Sequence, residues 1–281
     1  MVILCLIYAA ALGIGALTAL LVPASPLLRA LAADLAATLV VFIASMFFNN
    51  SSMYDPYWSV APPVLVLFWM VDAQAGMSVR TILMPALVLA WAARLTANFL
   101  RHWKGMHHED WRYADFRERG MAAYRFVSFT GFHFLPTLIV FAGCVPVYYA
   151  IGRTAPVGWL DGVAALVTAL AIVIEAVADA QMRSSVRAGG TGKTTFTGGL
   201  WAYSRHPNYV GEVLFWWGLW LFAVAADASL WWTVFGPAGV TLLFVFISIP
   251  LMEAHMKKRR SDWDTVCARV PAFLPWFQKR S

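Results

Sequence analysis

Residues 2–22 contain no charged side chain, and residues 31–48 contain one, Asp34. An α-helix rises about 1.5 Å per residue, so either run can cross the roughly 30 Å hydrocarbon core of a bilayer. Water is absent there, and backbone N–H and C=O groups must be satisfied within the chain, which leaves helices or closed barrels. The apolar residues form continuous runs instead of alternating, and that selects helices. Further runs occupy 60–71, 81–100, 132–151, 158–182, 209–226 and 230–250. The sequence predicts an all-α, polytopic transmembrane helical bundle of about eight spans, the third short, in a single integral membrane domain over 1–281. Composition agrees, because 60% hydrophobic and 13% charged residues exceed what one water-soluble core requires. Met1 is followed directly by apolar residues without a basic leader or a small-residue cleavage site, so the first run is read as a retained helix.

The basic residues orient the bundle. Of the 21 Lys and Arg, six fall in 101–130, four in 182–208 and seven in 251–281, all on one face of an eight-span arrangement. The positive-inside rule puts that face, both termini and the stretch 49–59 in the cytosol. These cations hold topology and touch lipid headgroups, and no soluble basic surface is long enough for nucleic acid. Cys5, Cys144 and Cys267 match no metal or disulfide spacing. His102, His107 and His108 cluster, but six His in all are too few for a di-iron set, so no metal site is expected. Gly192-Lys193-Thr194 lacks the glycine that a phosphate loop needs five residues earlier, where Arg187 stands, and 189–199 reads as a loop.

Charge inside a membrane costs about 2.5–3.5 kcal/mol on insertion scales, so intramembrane ionisable residues are candidate functional groups. Glu175, Asp179, Arg183 and Arg187 recur every four residues near the end of the sixth run, acidic before basic on one helix face. A structural ion ladder accounts for them about as well as a ligand site. The stretch Gly198–Glu212 follows, dense in distinct polar types. Within it Pro207 suits a helix start, and Asn208 and Glu212 stand one turn apart on that helix.

At this point the chain resembles the steroid 5-alpha-reductase-like membrane proteins, and most closely their bacterial branch, the DUF1295 family. The matching residues are Gly198–Glu212, Asp179 with Arg183, the patch Glu109-Asp110-Trp111-Arg112-Tyr113, and Pro250-Leu251-Met252-Glu253 with Arg259, Arg260 and Trp263. The likeness begins at about Arg94. It implies a bundle whose cofactor cavity opens to the cytosol, with NADPH between the last helices and a lipophilic small-molecule substrate entering from membrane lipid. Residues 1–100 would form the substrate side, 101–281 the cofactor-binding region, and the bacterial inner membrane the location. The family places cofactor contacts at the positions of Asp179, Arg183, Asn208 and Glu212. Glu175, Tyr203, His206, Glu253 and Arg260 complete the candidate cofactor set, and Lys193 and Arg205 join it as phosphate partners by charge. The implied activity is NADPH-dependent reduction of a C=C bond conjugated to a carbonyl in a steroid-like or isoprenoid molecule. The Arg205-His206-Pro207 region also resembles isoprenylcysteine-type methyltransferases, which use S-adenosylmethionine. A membrane scaffold without enzymatic activity is the third reading, and it leaves the four polar positions of the sixth and seventh runs without a role.

The chain departs from the steroid reductases in one respect. Their Gln-Glu pair is missing, and Trp91 stands where their substrate-facing Tyr is expected. The polar stretch 49–59 offers replacements. Tyr54, Asp55 and Tyr57 are the candidate catalytic groups, able to hydrogen-bond a carbonyl oxygen as charge develops on it. Reporter fusions at Ser281 and beside Arg153 should give opposite topology signals, and equal signals would overturn the orientation.

Overall fold

The computed structural model describes residues 1–74, 76, 78–118, 120–189 and 193–275. Gly192 and Ser281, both named above, lie outside the described residues. All regular structure within them is helical. The chain forms two compact units, Met1–Thr154 and Ala155–Ser281.

The first unit contains α1 (Val2–Leu21), α2 (Pro26–Phe47), α3 (Tyr57–Asp72), α4 (Val79–His102), α5 (Trp111–Arg117), α6 (Met121–Val127) and α7 (Leu135–Ile151). Helix starts follow local chemistry. Ser25 caps α2 with Pro26 in its first turn. Ser78 and Thr81 form a reciprocal box at α4, Thr81 N–H donating to Ser78 Oγ at 3.1 Å and Ser78 N–H to Thr81 Oγ1 at 2.8 Å. α6 continues into α7 through a wider helical turn, Ser128–Phe134, so that Met121–Ile151 is one apolar rod.

Seven helical rods among the described residues are long and apolar enough to span a membrane. The protein is an integral membrane protein. α3, the short third run, has 16 residues and falls short of that length. Arg29, ahead of the α2 core, pairs with Asp72 at the far end of α3 at 3.0 Å. At the near end, Asn50 Nδ2 donates to the carbonyls of Met106 and His108, just beyond α4. Those two ends are joined by α3, about 24 Å long at 1.5 Å per residue. Of the eight expected spans, seven are helices of spanning length among the described residues, four in this unit and three in the next.

The second unit contains α8 (Trp159–Arg187), α9 (Pro207–Ala226), α10 (Phe235–Leu243), α11 (Ile249–Arg259) and α12 (Trp263–Arg269), with α10 and α11 continuous through another wide turn, Phe244–Ser248. Lipid tails are as apolar as leucine, so apolar burial does little to associate helices in a bilayer, and close packing must do it. Gly211 and Gly218 on α9 allow this. A Cβ at Gly211 would come within 2.8 Å of the Ala171 carbonyl oxygen, and one at Gly218 within 3.0 Å of Thr168 Cα. Both obstacles are backbone of α8 and cannot swing aside. Outward-facing Leu166, Leu170 and Val173 on α8 are exposed and contact lipid.

Gly218→Ala should lower the midpoint of thermal unfolding in detergent by an amount equivalent to about 1–3 kcal/mol of overpacking. Gly239→Ala on α10, where a Cβ meets nothing within 4 Å, should leave it unchanged or raise it. Equal responses would show that the α8–α9 contact is not held by its glycines.

Candidate functional site

In the first unit the stretch after α2 is a short, tightly bonded turn. Asn49 adopts a left-handed backbone with φ of 52°, a conformation Asn tolerates better than most residues. Asn50 Oδ1 then caps a single helical turn, Ser51–Tyr54, by accepting from Ser52 N–H at 3.0 Å. Nearly every polar group here bonds to residues 106–128. Ser51 N–H donates to Glu109 Oε1 at 2.8 Å, and Asp110 N–H donates to Ser52 Oγ at 2.7 Å. Ser51 Oγ lies 2.6 Å from Tyr124 OH. Arg117 grips Glu109 through two nitrogens at 3.0 and 2.8 Å and reaches the Asn49 carbonyl oxygen at 3.0 Å. Such forked pairs fix geometry as well as charge.

The three catalytic candidates separate into two groups. Asp55 accepts from Tyr113 OH at 2.5 Å and meets Arg112, whose Nε also holds Asp110 at 2.7 Å. Burial raises the Asp55 carboxyl above its ordinary range, while Arg112 and Tyr113 pull it back. Its side chain is still 23% exposed, and water moderates the shift. Tyr54 and Tyr57 instead stack, with ring centroids 5.2 Å apart. Tyr54 OH pairs with Thr137 Oγ1 at 2.7 Å, and burial raises its phenol, keeping it protonated. Tyr57 OH donates to Asp34 Oδ1 at 2.6 Å. His133 tilts against Tyr54 at 4.7 Å between centroids, with Nδ1 2.7 Å from the Ser128 carbonyl oxygen. Asp34, Thr137 and His133 did not stand out as site residues in the sequence. Asp34 carried the signal that would have found it, as the lone acid of an apolar run.

The second unit buries two carboxyl groups, Glu175 on α8 and Glu212 on α9. Glu175 and Glu212 are 3% and 4% exposed, Glu175 packs on Gly211, and Glu212 Oε1 accepts from Trp216 Nε1 at 2.9 Å. Asn208 lies one turn before Glu212 on α9, and Asp179 and Arg183 one and two turns after Glu175 on α8. All three are half-buried.

The remaining cofactor candidates hold loops together. Arg205 forks onto Glu253 at 2.9 and 2.7 Å and also donates to the carbonyls of Cys267 and Val270. His206 Nε2 meets Glu253 Oε1 at 2.8 Å, and its ring stacks on Tyr209. The Arg205 N–H donates to the Pro271 carbonyl at 2.9 Å, completing a knot around the chain after α12. Arg260 donates to the Thr194 carbonyl, and Ser261 to that of Lys193. Thr195 donates to Asp262 through N–H and hydroxyl, which against the effect of burial holds that carboxyl below its ordinary range. Lys193 and Tyr203 are exposed. The guanidinium of Arg205 is thus engaged by a carboxylate and two carbonyls.

Arg205→Lys cannot reproduce the fork. It should lower stability by about 2 kcal/mol, the scale of hydrogen bonds to charged groups, and should speed limited proteolysis between residues 253 and 273. An unchanged cleavage rate there would show that the knot does not restrain the segment.

Three comparisons bear on identity. No solved structure matches the chain. An uncharacterised protein of Schizosaccharomyces pombe is 27% identical over 233 residues, covering 73% of this chain and 67% of that protein. A family model described as "Protein of unknown function (DUF1295)" matches residues 41–267. That match takes in the Asn49–Asp55 turn, the buried carboxylates of α8 and α9 and the Arg205–Glu253 pair, and the chain belongs to the DUF1295 family.

Proposed function

We propose that this protein is an NADPH-dependent membrane reductase acting on a C=C bond conjugated to a carbonyl in a lipophilic substrate. The observation carrying the reading is the pair of buried carboxyl groups, Glu175 against Gly211 of α9 and Glu212 one residue further on α9, with Asn208, Asp179 and Arg183 a turn or two away along the same two helices. Packing alone does not require two buried carboxyl groups, since each is costly to desolvate.

The donor set fits a dinucleotide. Asp179, Glu212 and Asn208 suit ribose hydroxyls and a carboxamide, and Arg183 with exposed Lys193 suits phosphate. Arg205 is engaged by Glu253, so its part would be to shape the loop before α9. When bound, the dinucleotide would supply hydride to the carbon remote from the carbonyl. Within the first unit, Tyr54, protonated at neutral pH, is the group able to donate a hydrogen bond to a carbonyl oxygen, with Tyr57 and Asp55 as the other candidates of that segment.

The test is equilibrium binding to detergent-purified protein, with NADPH and S-adenosylmethionine as separate probes. Wild-type protein should bind NADPH, and Asn208→Ala and Glu212→Gln should each weaken it about tenfold, the scale of one lost hydrogen bond to a charged group. Unfolding temperatures measured in parallel separate lost binding from lost fold. Binding of S-adenosylmethionine alone would replace the reading with methyl transfer. No affinity for either would overturn both.

A further inference from the structure

A cavity of about 170 Å³ lies among α1, α2 and α3 within the first unit. Its wall is almost wholly apolar and mostly of small residues, among them Ala11, Gly15, Ala33 and Ala61. The polar lining residues are Tyr8, Asp34 and Tyr57. Tyr8 OH is taken by the Met53 carbonyl at 3.0 Å, and Tyr57 OH by Asp34 Oδ1. Asp34 is 5% exposed, and its second oxygen, Oδ2, is buried with no hydrogen-bond partner among the described residues. An acid left half-satisfied at the side of an apolar cavity is a large cost without a ligand. Oδ1 serves the Tyr57 hydroxyl, and that bond leaves Oδ2 unaccounted for.

We propose that this cavity binds a slender lipophilic alcohol, such as a long-chain alcohol, with its hydroxyl on Asp34 and its chain along the alanine-lined wall. The head group follows from what Oδ2 needs. An ionised carboxylate needs a donor and a protonated one needs an acceptor, and a hydroxyl is a neutral group that serves in either case. An ammonium would have to enter from lipid as an ion, and an aldehyde or ester can only accept. The chain follows from the wall. Alanine and glycine leave a narrow channel, and the volume resembles that of an engineered apolar cavity of about 150 Å³ that takes benzene, enough for a head and several carbons. The entrance follows from exposure. Leu12 and Val64 line the cavity and are 55% and 40% exposed on a membrane-facing surface, so a ligand dissolved in the bilayer reaches it sideways. This site belongs to the first unit, and its existence does not rest on the dinucleotide reading.

The experiment uses the full chain in detergent and a diazirine-bearing C16 alcohol as photoprobe, followed by peptide mapping. Labelling should fall on α1–α3 and be competed at least tenfold better by hexadecanol than by hexadecane or hexadecanal. Asp34→Leu should reduce labelling about tenfold. Ala16→Phe, at an exposed lining position where a larger side chain does not disturb the core, should reduce it at least fivefold and keeps the test open if Asp34→Leu does not fold. Equal competition by alkane and alcohol, or labelling unchanged in Ala16→Phe, would overturn the proposal. NADPH affinity measured on Ala16→Phe distinguishes the two sites: retained NADPH binding with lost labelling separates them, and loss of both with a normal unfolding temperature would overturn their independence.

Discussion

A polar group in hydrocarbon has no water to fall back on, and the positions of the polar residues in this protein follow from that constraint. In the first unit, the turn between α2 and α3 carries amide, hydroxyl and carboxyl groups, and the segment 106–128 supplies partners for them. Glu109 serves Ser51, Arg117 and Tyr124 at once. In the second unit, α8 and α9 approach so closely that Glu175 packs on Gly211, and Glu212 is met by Trp216 one turn along its own helix. The two units meet the same demand differently, one with a network of side chains on a turn and the other with glycines that let two helices touch.

The spans were legible because hydropathy is a local property. The first run, 2–22, corresponds to α1, and the short third run to α3. The fifth was read from 132, whereas the helical rod begins at Met121. Arg125, Ser128 and His133 break the apolar pattern there, and their helical state depends on what they touch. Ser128 and His133 are fully buried, bonded to Ser51 and Ser45 from other elements, and no window on the sequence contains those partners.

The candidate site was legible to the same limit. Asn208 and Glu212 share a face by helical spacing alone, and this holds in α9. The meeting of Glu175 with Gly211 required two helices to approach, and the Asp55–Arg112 contact joins residues 57 apart. Charge alone suggested phosphate for Arg205. The fork onto Glu253 shows why a cation near a loop is ambiguous in sequence, since its partner is chosen by the chain's path.

The Arg205 knot also sets an order of events during synthesis. Its partners are Glu253, 48 residues later, and the Val270 carbonyl, 65 residues later. At roughly 5–20 residues per second, the loop before α9 waits about 3–13 s after Arg205 is made before the Val270 carbonyl exists. Until residue 253 is made, the guanidinium has neither its carboxylate nor its two carbonyl partners. Closure of the second unit is therefore a late step, completed after its helices have been made and inserted.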